Sequence, residues 1–545
     1  MNVAECVATT LAELGVGHAF GVVGSGNFHV TNGLRRAGVP FVAARHECGA
    51  AMMADAYARI SGDVTAVTLH QGCGLTNALT GITEAAKSRT PMVVLVADVT
   101  EPRSNFYVDQ DSLAEAVGAV AMRVDDPDQA AAVAAEAFRT ASLQRRTVVL
   151  NLALHVQEQG VTAPRSLPGK EPAYDRAPST EAVNALVEEL RRSERPVFIA
   201  GRGARGGESG KALEDLADKV GALLATSAVA KGLFHGNPWS LDVSGGFASP
   251  LAAELIRGAD LVVAWGCALN MWTTRQGTLI PPTARVAQVD LEGDALGRHR
   301  DIDVGVIGGV AEVAAAASSV FGDGTTEGYR SGEIRQRIAR EIRWADVAYR
   351  DTSTPDAIDP RTFTRALDDL LPRERIIGVD SGNFMGYPSM FLSVPDQNGF
   401  CFTQAFQSIG LGLATAIGAA LARPDRLPVA ALGDGGALMA AAELETVARL
   451  GLPMVVAVYN DAAYGAEVHH FGPDGHDLET VRFPPTDIAA IAEGYGFASV
   501  TVRTVEDMAG VKAWIDGDRT QPLLIDAKVT SDQPSWWLEE AFRGH

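Results

Sequence analysis

From one end of the chain to the other, short apolar runs rich in β-branched residues alternate with alanine-rich stretches of helical period. AFGVVG, TAVTLH, PMVVLVAD and TVVLNLAL come in the first third, PVFIAG, LVVAWG and ARVAQVDL in the second, and RIIGVD, PVAALGDG, PMVVAVYN and PLLIDAKV in the last. Strands buried on both faces read as continuous apolar runs, and parallel neighbours need a crossover helix between them. The rhythm therefore predicts an α/β protein with parallel sheets flanked by helices. At 545 residues the chain is long for one core, so three domains are expected. Two stretches break the rhythm: HVQEQGVTAPRSLPGKEPAYDRAPSTEA (155–182), rich in Pro and charge, and 321–362, which starts loose and passes into a polar helix. Read as linkers, they give domains at 1–160, 180–325 and 360–545, the first and last resembling one sheet architecture used twice.

Composition narrows the partners. A net charge of −21 argues against nucleic acid or an anionic membrane, though not against a small anion held by backbone N–H groups. The start, MNVAECVATTLAELGVG, lacks the basic and apolar regions of a signal peptide, and LGLATAIGAALA is too short for a span of about 20 residues. Cys6, Cys48, Cys73, Cys267 and Cys401 are odd in number and widely spaced, which predicts reduced, mostly buried thiols in a cytoplasmic protein.

The last third carries the most specific pattern. PVAALGDGG runs as a buried strand into a glycine turn, with the helix AAAELETVARL expected directly after it. Backbone N–H groups at Gly435 and Gly436 and the helix N-terminus can cradle a phosphate. A phosphate beside Asp434 needs a divalent cation between them, and Mg²⁺, with its taste for carboxylate and phosphate oxygens, fits. Asp461 ends the neighbouring strand PMVVAVYN, so its carboxylate and a backbone carbonyl near Ala463 complete the set. Either acid alone reads as a capping or turn Asp. Both together, with the glycines and the strand between, read as a metal–phosphate site.

Two weaker signals lie in the first third. Glu47, in RHECGAAMMADAYARISG, precedes an apolar helix and alone reads as a first-turn carboxylate. His70, in TLHQGCGLTNALTG, is either a capping histidine or an acid–base group in a cleft.

Taken together, RHE before a small-residue helix, the strand–turn–LTNALTGITEA segment, and GDG followed 27 residues later by an Asn/Asp position resemble the thiamine-diphosphate enzymes. The nearest group is the superfamily of acetolactate synthase, pyruvate decarboxylase and benzoylformate decarboxylase. QSIGLGLATAIGAALA and AQVDLEGDALGRHRDIDVGVIGG extend the likeness over essentially the whole chain. The resemblance implies a pyrimidine-binding first domain, a Rossmann-like middle domain and a diphosphate-binding last domain, with thiamine diphosphate and Mg²⁺ as cofactors. By that likeness Glu47 hydrogen-bonds pyrimidine N1′, Ile409 forces the bent form of the cofactor, and the Gln407 carbonyl takes a 4′-amino proton. Asp380, Ser381, Gly382 and Asn383 match the diphosphate contacts, beside Gly433, Gly435 and Gly436. Asp434, Asp461 and Ala463 are the implied metal residues, Asp461 standing where the family usually carries Asn. Glu47 is expected in a poorly solvated cleft, since burial raises a carboxyl pKa and keeps the proton it must donate.

Ser25, in GVVGSGNF, and His70 match positions where the benzoylformate decarboxylase pattern carries Ser and His, and Glu467, in YGAEVHHFG, matches a glutamate of the pyruvate decarboxylase pattern. These are candidates for binding a 2-oxo acid carboxylate and moving protons; the plain alternative for Glu467 is a surface acid. The paired histidines of pyruvate decarboxylases, expected near Phe106–Asp111, are absent, and the second histidine of benzoylformate decarboxylase gives way to a residue near Thr273. Neither substrate assignment therefore transfers. His469 and His470 read as structural or rim residues.

The implied activity is cleavage of CO₂ from a small 2-oxo acid, the acyl carbanion passing to a proton or to a second carbonyl. The alternatives are a lyase splitting 2-hydroxy ketones or 2-hydroxyacyl-CoA in reverse, and a cofactor-binding protein without catalysis, against which the presence of Glu47 and both metal acids speaks. As relatives pack, pyrimidine and diphosphate domains cannot form a site within one subunit, so a homodimer or homotetramer is expected. AGRGARGG (200–207) holds a GxGxxG at Gly201, Gly203 and Gly206, but the next strand, ALLATSA, ends without the acid that would hold a ribose. Relatives use this domain for FAD or ADP, or as structure; bound nucleotide is the less favoured reading. The C-terminal DQPSWWLEEAF reads as a lid over the cleft or as a docked terminal helix.

Overall fold

The computed structural model describes residues 1–161 and 177–538, so most of the 155–182 stretch and the end of DQPSWWLEEAF lie outside the described residues. Three six-stranded sheets follow one another along the chain. The first holds β1 (His18–Gly21), β2 (Phe41–Ala43), β3 (Thr65–Leu69), β4 (Met92–Asp98), β5 (Val120–Val124) and β6 (Thr147–Ala153). The second holds β7 (Pro196–Ala200), β8 (Leu223–Thr226), β9 (Ser240–Val243), β10 (Leu261–Trp265), β11 (Arg285–Asp290) and β12 (Val304–Ile307). The third holds β13 (Arg375–Val379), β14 (Phe400–Phe402), β15 (Leu427–Gly433), β16 (Val455–Asn460), β17 (Ala498–Val502) and β18 (Leu523–Lys528). Every neighbouring pair is parallel.

The sequence pattern explains the strands. MVVLVAD, TVVLNLA and VVAVYN are buried along their whole length, as β-branched runs must be when helices cover both faces of a sheet. The first sheet is ordered β2-β1-β3-β4-β6-β5 and the third β14-β13-β15-β16-β18-β17, the same order reused. The middle sheet, β12-β11-β10-β7-β8-β9, has the Rossmann order. In such sheets ligands bind beyond the carboxyl ends of the strands at a place where the chain direction across the sheet reverses. Such a place is β1/β3 in the first sheet and β13/β15 in the third.

Six helices position the loops at those ends: α1 (Glu47–Ser61), α2 (Cys73–Lys87), α3 (Gly412–Ala422), α4 (Asp434–Met439), α5 (Glu443–Arg449) and α6 (Gly465–Phe471). α1 and α3 are alanine-rich and pack first domain against third; a Cβ on Gly418 would run into the Met53 carbonyl. One continuous core joins them, with Ala50, Met53, Val67, Leu413, Ile417 and Val456 all buried. No disulfide joins the five cysteines: Cys6, Cys267 and Cys401 are buried, Cys48 half-buried and Cys73 exposed. Among the described residues no helix is long and apolar enough to cross a membrane.

Candidate active site

In the third domain the site grows from the ends of β13, β15 and β16. β13 stops at Val379, and Asp380 turns its carboxylate inward to accept N–H bonds from Ser381 at 2.8 Å, Gly410 at 2.9 Å and Leu411 at 3.2 Å. Burial pushes this carboxyl up to about 6 while those N–H groups restrain it. Asp380 thus ties the 381–383 loop to the start of α3. The glycines of GDGG exist for close approach: a Cβ on Gly436 would collide with the Asp380 carboxylate, one on Gly435 would lie 2.8 Å from the Tyr464 ring, and one on Gly433 3.0 Å from Phe384. One correction concerns the helix expected after the glycines. α4 begins at Asp434 itself and stops at Met439, and α5 starts afresh at Glu443. A run of alanines carries no signal that separates one continuous helix from two short ones.

Asp434 and Asp461 face each other across this floor. The N–H groups of Gly435, Ala463 and Ala462 face the Asp434 carboxylate, and that of Ala463 faces Asp461 as well, each favouring the charged form. Burial pushes Asp434 up to about 6; burial and then the Asp434 charge push Asp461 up to about 7. No lysine, arginine or histidine is among the main groups acting on either carboxylate. A buried and a half-buried acid side by side, with no ion pair to either among the described residues, are relieved by a divalent cation, and an all-oxygen donor set suits Mg²⁺. Among the described residues no third acid, histidine or cysteine joins a metal-holding group, so further ligands would be diphosphate and water oxygens, as Mg²⁺ ordinarily keeps. The neighbouring Asn460 points elsewhere, donating to Asp526 Oδ1 at 2.9 Å and accepting the Ala462 N–H at 3.2 Å. Of the Asn-Asp pair it is therefore Asp461 that meets Asp434.

Two non-glycine residues beside the site hold left-handed backbone, Gln407 at φ 61° and Ala462 at φ 53°. Such a conformation costs an L-residue roughly 1–2 kcal/mol and persists where surrounding contacts enforce it. Gln407 is exposed and Ile409 half-buried, on the loop between β14 and α3. Ala462 was not foreseen, because neither Gly nor Asn marks the position. Ser381 and Gly382 line the turn leading to Asn383, whose side-chain oxygen accepts the Ser535 N–H at 3.0 Å. The Asn383 carbonyl accepts Ser535 Oγ at 2.7 Å and Trp537 Nε1 at 3.0 Å. The described part of the C-terminal segment is thus docked on the candidate diphosphate loop.

The first domain supplies the other half. Glu47 opens α1, and its Oε2 accepts Asn77 Nδ2 at 3.1 Å. It is half-buried, so the described residues of the chain do not enclose it in the poorly solvated cleft expected for it. Asn77, one helical turn after Cys73 on α2, carried no signal of its own. At the β1/β3 crevice, Asn27 holds the turn by accepting the Gly24 N–H at 2.8 Å, leaving Ser25 exposed at its tip. The Gly26 N–H donates to His70 Nδ1 at 3.3 Å, which assigns the proton of the neutral ring to Nε2. The Phe106 ring meets His70 edge-on at 5.4 Å. Buried Gln110 holds the following turn, accepting the Gly72 N–H at 2.9 Å and donating to Asn151 Oδ1 at 2.8 Å. The segment where paired histidines were sought therefore scaffolds His70. Ser25 and His70 are brought together; Glu467 is exposed on α6 and is not gathered with them in the chain.

In the middle domain the glycine pattern serves packing. A Cβ on Gly201 would overlap the Gly266 carbonyl, and the Gly203 N–H donates to that carbonyl at 3.0 Å. Arg202, pushed down to about 9 by burial, donates to the Ser88 carbonyl, and Arg205 to the Gln397 carbonyl at 3.1 Å.

Models of the thiamine pyrophosphate enzyme N-terminal TPP binding domain, central domain and C-terminal TPP binding domain match residues 1–122, 183–317 and 380–527. The chain belongs to the thiamine pyrophosphate enzymes. The domain matched as N-terminal carries Ser25, Glu47 and His70, and the one matched as C-terminal carries the Asp434–Asp461 pair. A sulfoacetaldehyde acetyltransferase of Roseovarius nubinhibens is 26% identical, over 100% of this chain and 94% of its own length. Acetolactate synthase 1, chloroplastic, of Zea mays is 25% identical over 96% of this chain and 85% of its own. A probable 2-ketoarginine decarboxylase of Pseudomonas aeruginosa is 27% identical over 93% of this chain and 90% of its own. As a thiamine pyrophosphate enzyme the chain is similar to all three across all three sheets.

Proposed function

We propose that this thiamine pyrophosphate enzyme uses Mg²⁺ and acts on a small 2-oxo acid, releasing CO₂ and passing the acyl fragment to a proton or to a second carbonyl. The observation that carries the reading is the Asp434–Asp461 pair, one buried and one half-buried, with no ion pair to either among the described residues, at the carboxyl ends of β15 and β16 beside the GDGG floor. When bound, thiamine diphosphate supplies the electron sink on which the bond to a carboxylate carbon breaks. The chain's own residues do the rest. Asp434 and Asp461 hold the cation, with Ala463 at their junction, and the N–H groups of Gly435 and Gly436 with Ser381, Gly382 and Asn383 surround the diphosphate. Glu47 hydrogen-bonds the pyrimidine, the Gln407 carbonyl accepts a hydrogen bond from its amino group, and Ile409 shapes the ring's seat.

Ser25 and His70 sit together at the crevice of the first sheet, where a hydroxyl and an Nε2–H can bind the substrate carboxylate and deliver a proton. Glu467 joins them from the third domain of a second subunit. Half-exposed Glu47 and the exposed Phe106, Tyr107, Phe406 and Met439 around these loops support a homodimer or homotetramer with its sites between subunits. The net charge of −21 and five free thiols support a cytoplasmic location. The test is to incubate the protein with thiamine diphosphate, Mg²⁺ and a panel of small 2-oxo acids, following CO₂ and products by NMR. Turnover of at least one acid is expected; a fully loaded protein that consumes none contradicts the reading.

A further inference from the structure

The first and third sheets share one strand order, and the structure repeats one further device in both. α2, the helix after the third strand of the first sheet, carries Glu84; α5, after the third strand of the last sheet, begins at Glu443. Both side chains are buried, at 0% and 3% exposure. Each reaches into the other domain and accepts two successive backbone N–H groups just past that domain's second strand. Glu443 Oε1 takes those of Arg45 and His46, each at 3.0 Å. Glu84 takes those of Ala405 at 3.0 Å and Phe406 at 2.6 Å. The residues that follow are Glu47 in one case and Gln407, with its left-handed backbone, in the other.

We infer that Glu443 and Glu84 are reciprocal positioning residues, each setting the cofactor-facing loop of the opposite domain; the inference rests on the proposed roles of Glu47 and Gln407. Buried N–H groups need acceptors, and a carboxylate that accepts two in succession fixes the direction in which the next residue leaves. The two clamps differ in support. Glu84 also pairs with buried Arg59 at 2.7 Å and accepts from Ser88 Oγ at 3.2 Å, whereas among the described residues the second oxygen of Glu443 accepts only from Thr446 Oγ1 at 2.6 Å. A Cβ on Gly49 would strike the Glu443 carboxylate, so α1 has been kept bare where the clamp enters. Removing Glu443 therefore loosens one loop without leaving a buried guanidinium unpaired, and it is the cleaner test.

In the full-length protein without cofactor, Glu443→Ala should raise amide hydrogen exchange at residues 45–47 by about tenfold or more and leave 405–407 unchanged; Glu84 spends one oxygen on each N–H group, so Glu84→Gln removes one of the two acceptors and should affect 405–407 alone. With thiamine diphosphate bound, Glu443→Ala should slow exchange of the thiazolium C2 proton about tenfold, while affinity for Mg²⁺ and pyrophosphate stays within about twofold. Glu443→Gln, which keeps an oxygen acceptor, should restore both readouts. Unchanged amide exchange at 45–47, or an equal loss of pyrophosphate binding, overturns the inference. If Glu443→Ala does not fold, Glu443→Asp, one methylene short of the two N–H groups, is read by the same outcomes. If Glu47→Gln leaves C2 exchange untouched, the role proposed for Glu47 fails, and the amide readout still decides whether the clamp exists.

Discussion

Asp461 brings a second negative charge where the family pattern usually has an amide. Without a cation its proton affinity rises because it is buried and faces Asp434. An amide oxygen can also ligate Mg²⁺, so Asp461→Asn should keep cation-dependent cofactor binding within about tenfold, while Asp434→Ala should lose about a hundredfold or more. Calorimetric titration of thiamine diphosphate with and without Mg²⁺ measures both. His18 gives the matching test away from the site. Its ring lies 4.9 Å from those of Phe20 and Tyr57, its Nε2 is buried without a partner, and burial pushes it down to about 4. Between that value and the unfolded value of about 6.5 the unfolded chain binds more protons, so stability is lost as pH falls through this window. Thermal midpoints should therefore drop less from pH 7 to pH 5 in His18→Phe than in the parent; equal drops would exclude His18 as a cause. Asp434 and Asp461 were legible because a short local pattern marks them. The inward turn of Asp380 and the strained Ala462 were not, since both depend on where a distant loop arrives.

At the scale of elements, the glycine floor is a packing solution before it is a binding one. Gly436→Ala forces a methyl group against the Asp380 carboxylate, so it should destabilise by about 1–3 kcal/mol in urea unfolding. Loss of cofactor affinity should accompany it, because Asp380 holds the 381–383 loop; full stability would mean the Asp380 contact is soft. Strands were readable throughout because a run buried on both faces has an unambiguous apolar signature. The split of one expected helix into α4 and α5 was not readable, since alanine fits either outcome. Likewise the spacing of GxGxxG in the middle domain did not show that Gly201 and Gly203 pack against the backbone of Gly266.

Across the whole molecule, two copies of one sheet architecture face each other through α1 and α3, and a Rossmann-ordered middle sheet braces them through Arg202 and Arg205. The duplication was visible in the sequence as a repeated rhythm. The half-buried state of Glu47 was not, because an acid at the start of a helix looks the same in sequence whether or not its surroundings close over it. The central claim is that the cation sits between Asp434 and Asp461 and that Glu47 of a second copy closes the same site. A crystal grown with thiamine diphosphate and Mn²⁺ in place of Mg²⁺ tests it through anomalous scattering. The account predicts a manganese peak bridging Asp434, Asp461 and the diphosphate, with Glu47 of the neighbouring subunit against the pyrimidine; a peak elsewhere, or a cofactor bound wholly within one subunit, would contradict it.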